Sequence, residues 1–183
     1  MNPGRKKIFI GLSVLLVVLV AAFFWMSSRN RTLSPAGSSE GENGDLKVQV
    51  DYSRPSVRGR TIFGTDDQTP LLPYGKYWRL GANEPTAITF SRDVKFNGSP
   101  VPAGKYRIYA FPGPDTFEVV LNSEIGFWGA QEPDYTRDVL RTKVPVSKPA
   151  APAEQFTMAV EKAATGVTLV IRFADVELSV PVE

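Results

Sequence analysis

From Leu46 to the C-terminus, apolar and polar residues alternate with a period of two. No window longer than a turn or two carries the 3.6-residue period of a capped helix. Only a pleated strand sends successive side chains to opposite faces, so the pattern assigns residues 46–183 to sheet. Leu46, Val48, Val50 and Tyr52 alternate with Lys47, Gln49 and Asp51, as in a strand with one face buried. The same reading predicts strands over 86–90, 94–96, 106–111, 117–121, 138–144, 156–161, 167–173 and 176–180. Asn97-Gly98 is a tight-turn signal, and Pro112-Gly113-Pro114-Asp115 reverses the chain before Phe117. Residues 145–153 form a Pro/Ala/Ser loop that no central strand accommodates. Short strands with such punctuation imply an all-β domain, a β-sandwich of jelly-roll-like character, in a length sufficient for one core.

The chain ahead of this domain is of another kind. Residues 8–26, IFIGLSVLLVVLVAAFFWM, are an apolar run without a charge. At about 1.5 Å per residue a helix of that length approaches the roughly 30 Å of bilayer hydrocarbon. A cleavable signal has a shorter apolar core and a small-x-small site, whereas this run ends in the bulky Phe23-Phe24-Trp25-Met26. The expectation is an uncleaved single-pass signal anchor, with cleavage within 27–39 as the alternative. Arg5, Lys6, Lys7 and the amino group outweigh Arg29 and Arg31. Residues 1–7 then form a cytoplasmic flank, and the domain lies in the periplasm or outside the cell. Residues 27–45, rich in Ser, Gly, Asn and Glu, read as a disordered tether reaching about 25 Å.

Composition removes several classes of function. The 183 residues contain neither cysteine nor histidine. Disulfides, thiolate nucleophiles, Ser-His-Asp triads and imidazole-bound metals are therefore excluded. No cofactor or metal site is expected. The formal charge of +2 invites a nucleic-acid reading, but from Leu46 onward 16 basic residues meet 16 acidic ones. The excess belongs to the flanks of the apolar run, so the membrane, and not nucleic acid, is the expected partner.

Two stretches concentrate chemistry. The first is Asp51-Tyr52-Ser53-Arg54-Pro55-Ser56-Val57-Arg58-Gly59-Arg60. The second is Tyr74-Gly75-Lys76-Tyr77-Trp78-Arg79-Leu80-Gly81-Ala82-Asn83-Glu84-Pro85-Thr86. Arg54, Arg58, Arg60 and Arg79 supply guanidinium forks suited to carboxylate, phosphate or sulfate. Tyr52, Tyr74, Tyr77 and Trp78 supply flat apolar faces. Trp128, after Phe127, and Tyr135 either pack in the core or at its rim or extend that surface.

With Pro73-Tyr74-Gly75, Pro102-Ala103-Gly104-Lys105-Tyr106 and Trp128-Gly129 added, the ordered motifs resemble the bacterial domain-of-unknown-function family 2911 over residues 46–183. The resemblance implies an exported bacterial protein and supplies no reaction. The sequence departs from the family pattern in the longer acidic connection Thr65-Asp66-Asp67-Gln68-Thr69 and in its membrane anchor.

Three readings of the motif residues follow. In the first, Asp51, Tyr52, Arg54, Arg58, Trp78, Arg79, Asn83 and Glu84 bind a saccharide, an anionic small molecule or an envelope partner. Arg54 and Arg79 would hold the anion, Tyr52 and Trp78 would stack, and Asn83 and Glu84 would orient the ligand. In the second, the arginines only brace loops in a structural or protein-interaction domain, which burial and salt bridges would reveal. In the third, Asp51 and Glu84 face each other as a hydrolytic carboxylate pair, which needs roughly 5–10 Å between carboxyls.

Overall fold

The computed structural model describes residues 3–126 and 128–183, and the chain divides into a unit ending at Leu33 and a unit from Ser34 to Glu183. Phe127 lies outside the described residues. Helix α1 (Pro3–Leu33) extends through residues 27–33, which were expected to be tether. Within it, Ile10–Leu33 is long and apolar enough to cross a membrane. Its large apolar side chains from Ile10 to Met26 are 45–68 % exposed, so the girdle suits an apolar medium. The Arg29 guanidinium lies over the Trp25 ring at 5.7 Å, a cation–π contact.

The second unit is the expected sandwich. One sheet has the order β1 (Ala36–Asn43), β2 (Leu46–Ser53), β5 (Ala87–Phe90), β8 (Gly104–Phe111), β9 (Thr116–Asn122), β10 (Asp138–Pro145). The other has the order β11 (Ala153–Lys162), β12 (Val167–Ala174), β13 (Val176–Val182), β6 (Val94–Phe96), β7 (Ser99–Val101). Two-residue strands β3 (Phe63–Gly64) and β4 (Leu72–Pro73) pair in parallel beside them. All pairs within the two large sheets are antiparallel. The strands run as two meanders exchanging the β6–β7 hairpin, a simpler order than the two Greek keys of a jelly roll. The alternating residues do what their period implies: Leu46, Val48, Val50, Ile88, Phe117, Val119, Leu169 and Val180 are at most 1 % exposed.

One part of the expected tether is ordered sheet. Strand β1 pairs with β2 in register from Ala36↔Ser53 to Asn43↔Leu46. Its composition suits a strand pressed against the facing sheet. A Cβ on Gly41 would lie 2.7 Å from the Val160 carbonyl oxygen, so no larger residue fits without displacement. Ser39 Oγ accepts from the Val160 amide at 2.9 Å, and Asn43 Nδ2 donates to the Ala163 and Gly166 carbonyls at 3.0 and 2.9 Å. Farther along, the Tyr52 hydroxyl donates to the Met158 carbonyl at 3.0 Å, the Phe156 amide to Pro55, and the Val57 amide to the Glu154 carbonyl. Segment 36–57 thus satisfies the free edge of β11, the kind of edge that otherwise invites pairing with another chain. On the opposite side Asn97, in its left-handed turn, donates to Thr142 Oγ1 at 2.7 Å and closes the sandwich there.

The first sheet carries more than one layer. In β8 the core takes Tyr106, Ile108 and Ala110, yet the outward-facing Arg107 and Tyr109 are 1 % and 0 % exposed. The described part of segment 123–137 folds over this outer face. It is fixed by Asn122, whose Nδ2 donates to the Asp134 carbonyl at 2.9 Å and whose Oδ1 accepts from the Glu124 amide at 2.7 Å.

Candidate functional site

Trp78 bridges to Ala110 through two backbone hydrogen bonds of 2.8 and 2.9 Å, which aligns residues 77–79 as a short extended segment. Side chains then alternate. Trp78 and Leu80 enter the core at 3 % and 0 % exposure, while Tyr77 and Arg79 remain half-buried. The Trp78 ring lies among Phe63, Phe156, Phe117 and Phe173 at centroid distances of 5.3, 5.3, 6.2 and 6.3 Å. It packs between the sheets and offers no face to a ligand.

Beneath the 123–137 cover, Arg107 Nη2 donates to the Tyr77 hydroxyl and to the Gln131 carbonyl, and its guanidinium lies 5.6 Å from the Tyr77 ring centre. The Tyr77 hydroxyl in turn donates to the Gly129 carbonyl at 3.0 Å. Gly129 is required by its surroundings, because a Cβ there would lie 2.6 Å from the Asn83 carbonyl oxygen. Its amide donates to that same oxygen at 3.1 Å, and Arg79 Nη1 reaches it at 3.4 Å. Asn83 stands in the left-handed region at φ 56° with Nδ2 donating to Ser34 at 3.2 Å. Leu80 is also left-handed at φ 51°, a strained conformation for a branched side chain in a loop next to two cations.

The electrostatics here are lopsided. Every acceptor that Arg107 contacts is neutral, and its buried Nε and Nη1 have no hydrogen-bond partner. Neither Arg107 nor Arg79 has a carboxylate within salt-bridge distance among the described residues. Burial pulls the Arg79 pKa down; the phenol of Tyr77 opposes that and the charge of Arg107 adds to it. Tyr77 is pushed upward by burial, against the lowering effects of Arg107 and Arg79. By contrast, the adjoining Asp138 is fully engaged. It accepts from Tyr109 at 2.6 Å, from Asn122 at 2.7 Å and from Arg141 at 2.7 Å.

The expected site residues are therefore divided. Arg79 and Asn83 belong to the two-guanidinium cluster. Asp51, Tyr52 and Glu84 line a separate cleft of about 470 Å³ with Ser38 and Pro85. In that cleft Asp51 accepts from Ser38 Oγ at 2.9 Å and from Gln49 Nε2 at 3.1 Å. The Tyr52 ring packs edge-on to Phe156 in the core region, at a centroid distance of 5.6 Å, and does not stack outward. Arg58 is exposed at the far edge, where its amide donates to Glu154 Oε1 at 2.9 Å. Arg54 is half-buried with its side chain against Gly37 and its Nε without a partner. Among the described residues, the hydrogen-bond partners given for Arg54, Pro35 and Gln155, and for Arg79, Asn83, do not coincide. Neither Arg54 nor Arg79 forms an ion pair among the described residues.

Arg107 and Tyr109 escaped the reading of the sequence because the period-two pattern places them on an outward face, and nothing local tells that the face is covered. One signal was available. The connection between the expected strands 117–121 and 138–144 is 16 residues long without a period of its own, and connections of that length commonly carry function. Trp128, 49 % exposed in this cover, stands next to Gly129.

Fold and site together define a β-sandwich, behind a helix able to span a membrane or act as a signal anchor, with two unneutralised guanidinium groups under a loop. Residues 34–182 match the model of the family described as Protein of unknown function (DUF2911), and the chain belongs to that family. The match begins at the residue where the second structural unit begins, and so includes β1. No curated protein and no solved structure matches the chain.

Proposed function

We propose that this domain binds a small anionic ligand at the Tyr77–Arg79–Arg107 cluster, and that α1 anchors it in a bacterial membrane with the N-terminus inside and the domain outside the cytoplasm. The observation that carries the reading is the buried guanidinium of Arg107. A desolvated cation without a counter-charge is disfavoured by several kcal/mol, on the order expected for an unpaired buried ion. A bound anion at Arg79 would offset that cost and relieve the repulsion between the two guanidinium groups. Among a saccharide, an anion and an envelope protein as ligands, the anion is the one this charge balance favours.

Titration calorimetry and thermal unfolding of the full chain in detergent micelles, with inorganic phosphate, sulfate and citrate, test the binding. At about 100 times its dissociation constant a ligand adds roughly 2.7 kcal/mol to the folded state. The rise in midpoint should vanish in Arg79→Ala while that variant stays folded. Heat and midpoint unchanged with all three anions would remove the reading. Orientation is checked by fusing alkaline phosphatase, active only outside the cytoplasm, to Glu183; an inactive fusion would reverse the topology.

A further inference from the structure

Asn83 joins three separate pieces of chain. Its carbonyl oxygen accepts from the Gly129 amide at 3.1 Å and from Arg79 Nη1 at 3.4 Å, while its Nδ2 donates to the Ser34 carbonyl at 3.2 Å. Ser34 opens the β unit and follows directly on Leu33, the last residue of α1. Arg54 is held against the same entry segment. Its amide donates to the Pro35 carbonyl at 2.8 Å, and a Cβ on Gly37 would lie 3.0 Å from Arg54 Cδ. The loop carrying Arg79 and Asn83 touches the strand end beside Arg54, since a Cβ on Gly81 would lie 2.8 Å from the Ser53 carbonyl oxygen. Arg54, Arg79 and Trp128, the neighbour of Gly129, therefore gather where the chain enters the domain.

Both arginines are half-buried and uncompensated. Arg54 Nε has no hydrogen-bond partner, Arg79 reaches only a neutral carbonyl, and neither forms an ion pair among the described residues. Glu84, the carboxylate next to Asn83, has an interaction of its own. Trp128 is 49 % exposed and Ile125, earlier in the same loop, 46 %. Exposed apolar side chains beside arginines suit a membrane–water interface, where an indole ring takes the headgroup level and a guanidinium takes a phosphate. The depth fits as well. With α1 across a bilayer, the apolar run ends at Met26 and residues 27–33 carry the helix about 10 Å farther, against a headgroup layer roughly 5–8 Å deep. Ser34 then emerges at the outer margin of the headgroups, and side chains gathered around it reach lipid phosphate.

We propose that the anion at Arg79 is the phosphate of an anionic membrane lipid, that Arg54 takes a second headgroup, and that Trp128 beds in the interface beside them. This rests on the anion-binding reading above and names the source of the anion, the leaflet from which α1 emerges. A bilayer presents phosphate at every headgroup, so the two guanidinium groups need no common pocket. Its negative surface supplies the counter-charge that the domain withholds from both.

The test uses the full chain in nanodiscs of phosphatidylglycerol or of phosphatidylcholine, each with a small share of lipid spin-labelled at the headgroup. Trp25 lies in α1 and Trp78 in the core, so the difference between the parent and Trp128→Phe isolates the quenching of Trp128. Trp128 should be quenched in phosphatidylglycerol and several-fold less in phosphatidylcholine. Arg54→Gln should lower the ratio of quenched to unquenched Trp128 about fivefold, the effect of one arginine at an anionic surface, and Arg54→Lys should retain most of it. The emission of buried Trp78 verifies that each variant is folded. Titration of inorganic phosphate into the full chain in detergent micelles separates the two sources of the anion. Phosphate binding with Trp128 unquenched, or quenched equally in both lipids, would overturn the lipid and leave the site to a free anion. A preference for phosphatidylglycerol that survives Arg54→Gln and Arg79→Gln together would overturn it as well. Neither quenching nor phosphate binding would overturn both readings.

Discussion

Tyr77 and Trp78 are neighbours in the chain and belong to different parts of the molecule. Around the bridge to Ala110, Trp78 and Leu80 turn to the core, while Tyr77 and Arg79 turn to the buried cation. The sequence expectation that Trp78 and Arg79 share a ligand face founders on that alternation, because adjacent residues in extended chain point apart. The consequences for stability are opposite. Trp78→Ala should lower unfolding stability by about 3–5 kcal/mol, read from urea denaturation, since it empties a space ringed by four phenylalanines. Arg107→Met should leave the unfolding midpoint within roughly 1 kcal/mol of the parent, or raise it, because removing an unneutralised buried charge offsets the lost hydrogen bonds. The same variant should lose anion binding. A group retained at a cost to stability is the mark of function. A loss of more than about 2 kcal/mol in Arg107→Met would make the residue a brace instead.

At the scale of elements, the first motif stretch is a closure. Segment 36–57 lays Ser39, Gly41, Asn43 and Tyr52 along the polar edge of β11, and Pro55 and Val57 continue the pairing. Gly41→Val should therefore push β1 away from Val160, destabilising the domain by about 1–3 kcal/mol. Hydrogen exchange at the Val160 amide, which is held by Ser39 Oγ, should accelerate in that variant. Unchanged exchange there would mean that β1 does not guard the edge. The composition of 36–43 concealed this strand. Small and acidic residues have low strand propensity, and the fit that selects glycine and serine lies in another sheet, more than a hundred residues away in sequence. The 65–69 connection was equally opaque: its acidic residues sit in a 3₁₀ turn closed by Thr65 and Gln68.

For the whole molecule, the absence of histidine leaves no side chain with an ordinary pKa near neutrality, so stability should be flat from about pH 6 to 9. Above that range the tyrosines decide. Tyr77, Tyr106, Tyr109 and Tyr135 are all raised, first of all by burial, and Tyr109 and Tyr135 are raised further by hydrogen bonds to Asp138 and Glu132. A phenol whose pKa is higher folded than unfolded contributes stability that is present below the unfolded value, near 10, and is lost as pH rises beyond it. Chemical denaturation should show the loss beginning at about pH 10, with phenolate absorbance appearing together with unfolding. Tyr77, Tyr106 and Tyr109 ionising independently while the fold persists would contradict their packed positions. What the sequence by itself determined is what short-range chemistry determines. The period of two placed nine of the thirteen described strands, Asn97-Gly98 placed a hairpin turn, an uncharged apolar run made a helix, and the lack of cysteine and histidine removed whole classes of catalysis. Only the tertiary structure decided which residues meet. Asp51, Ala87 and Arg107 lie in one row across three strands whose pairing is set by sheet order. The burial of Arg107 depends on a loop that crosses a face the local pattern marks as exposed. Register and cover are long-range properties, and no window of sequence contains them.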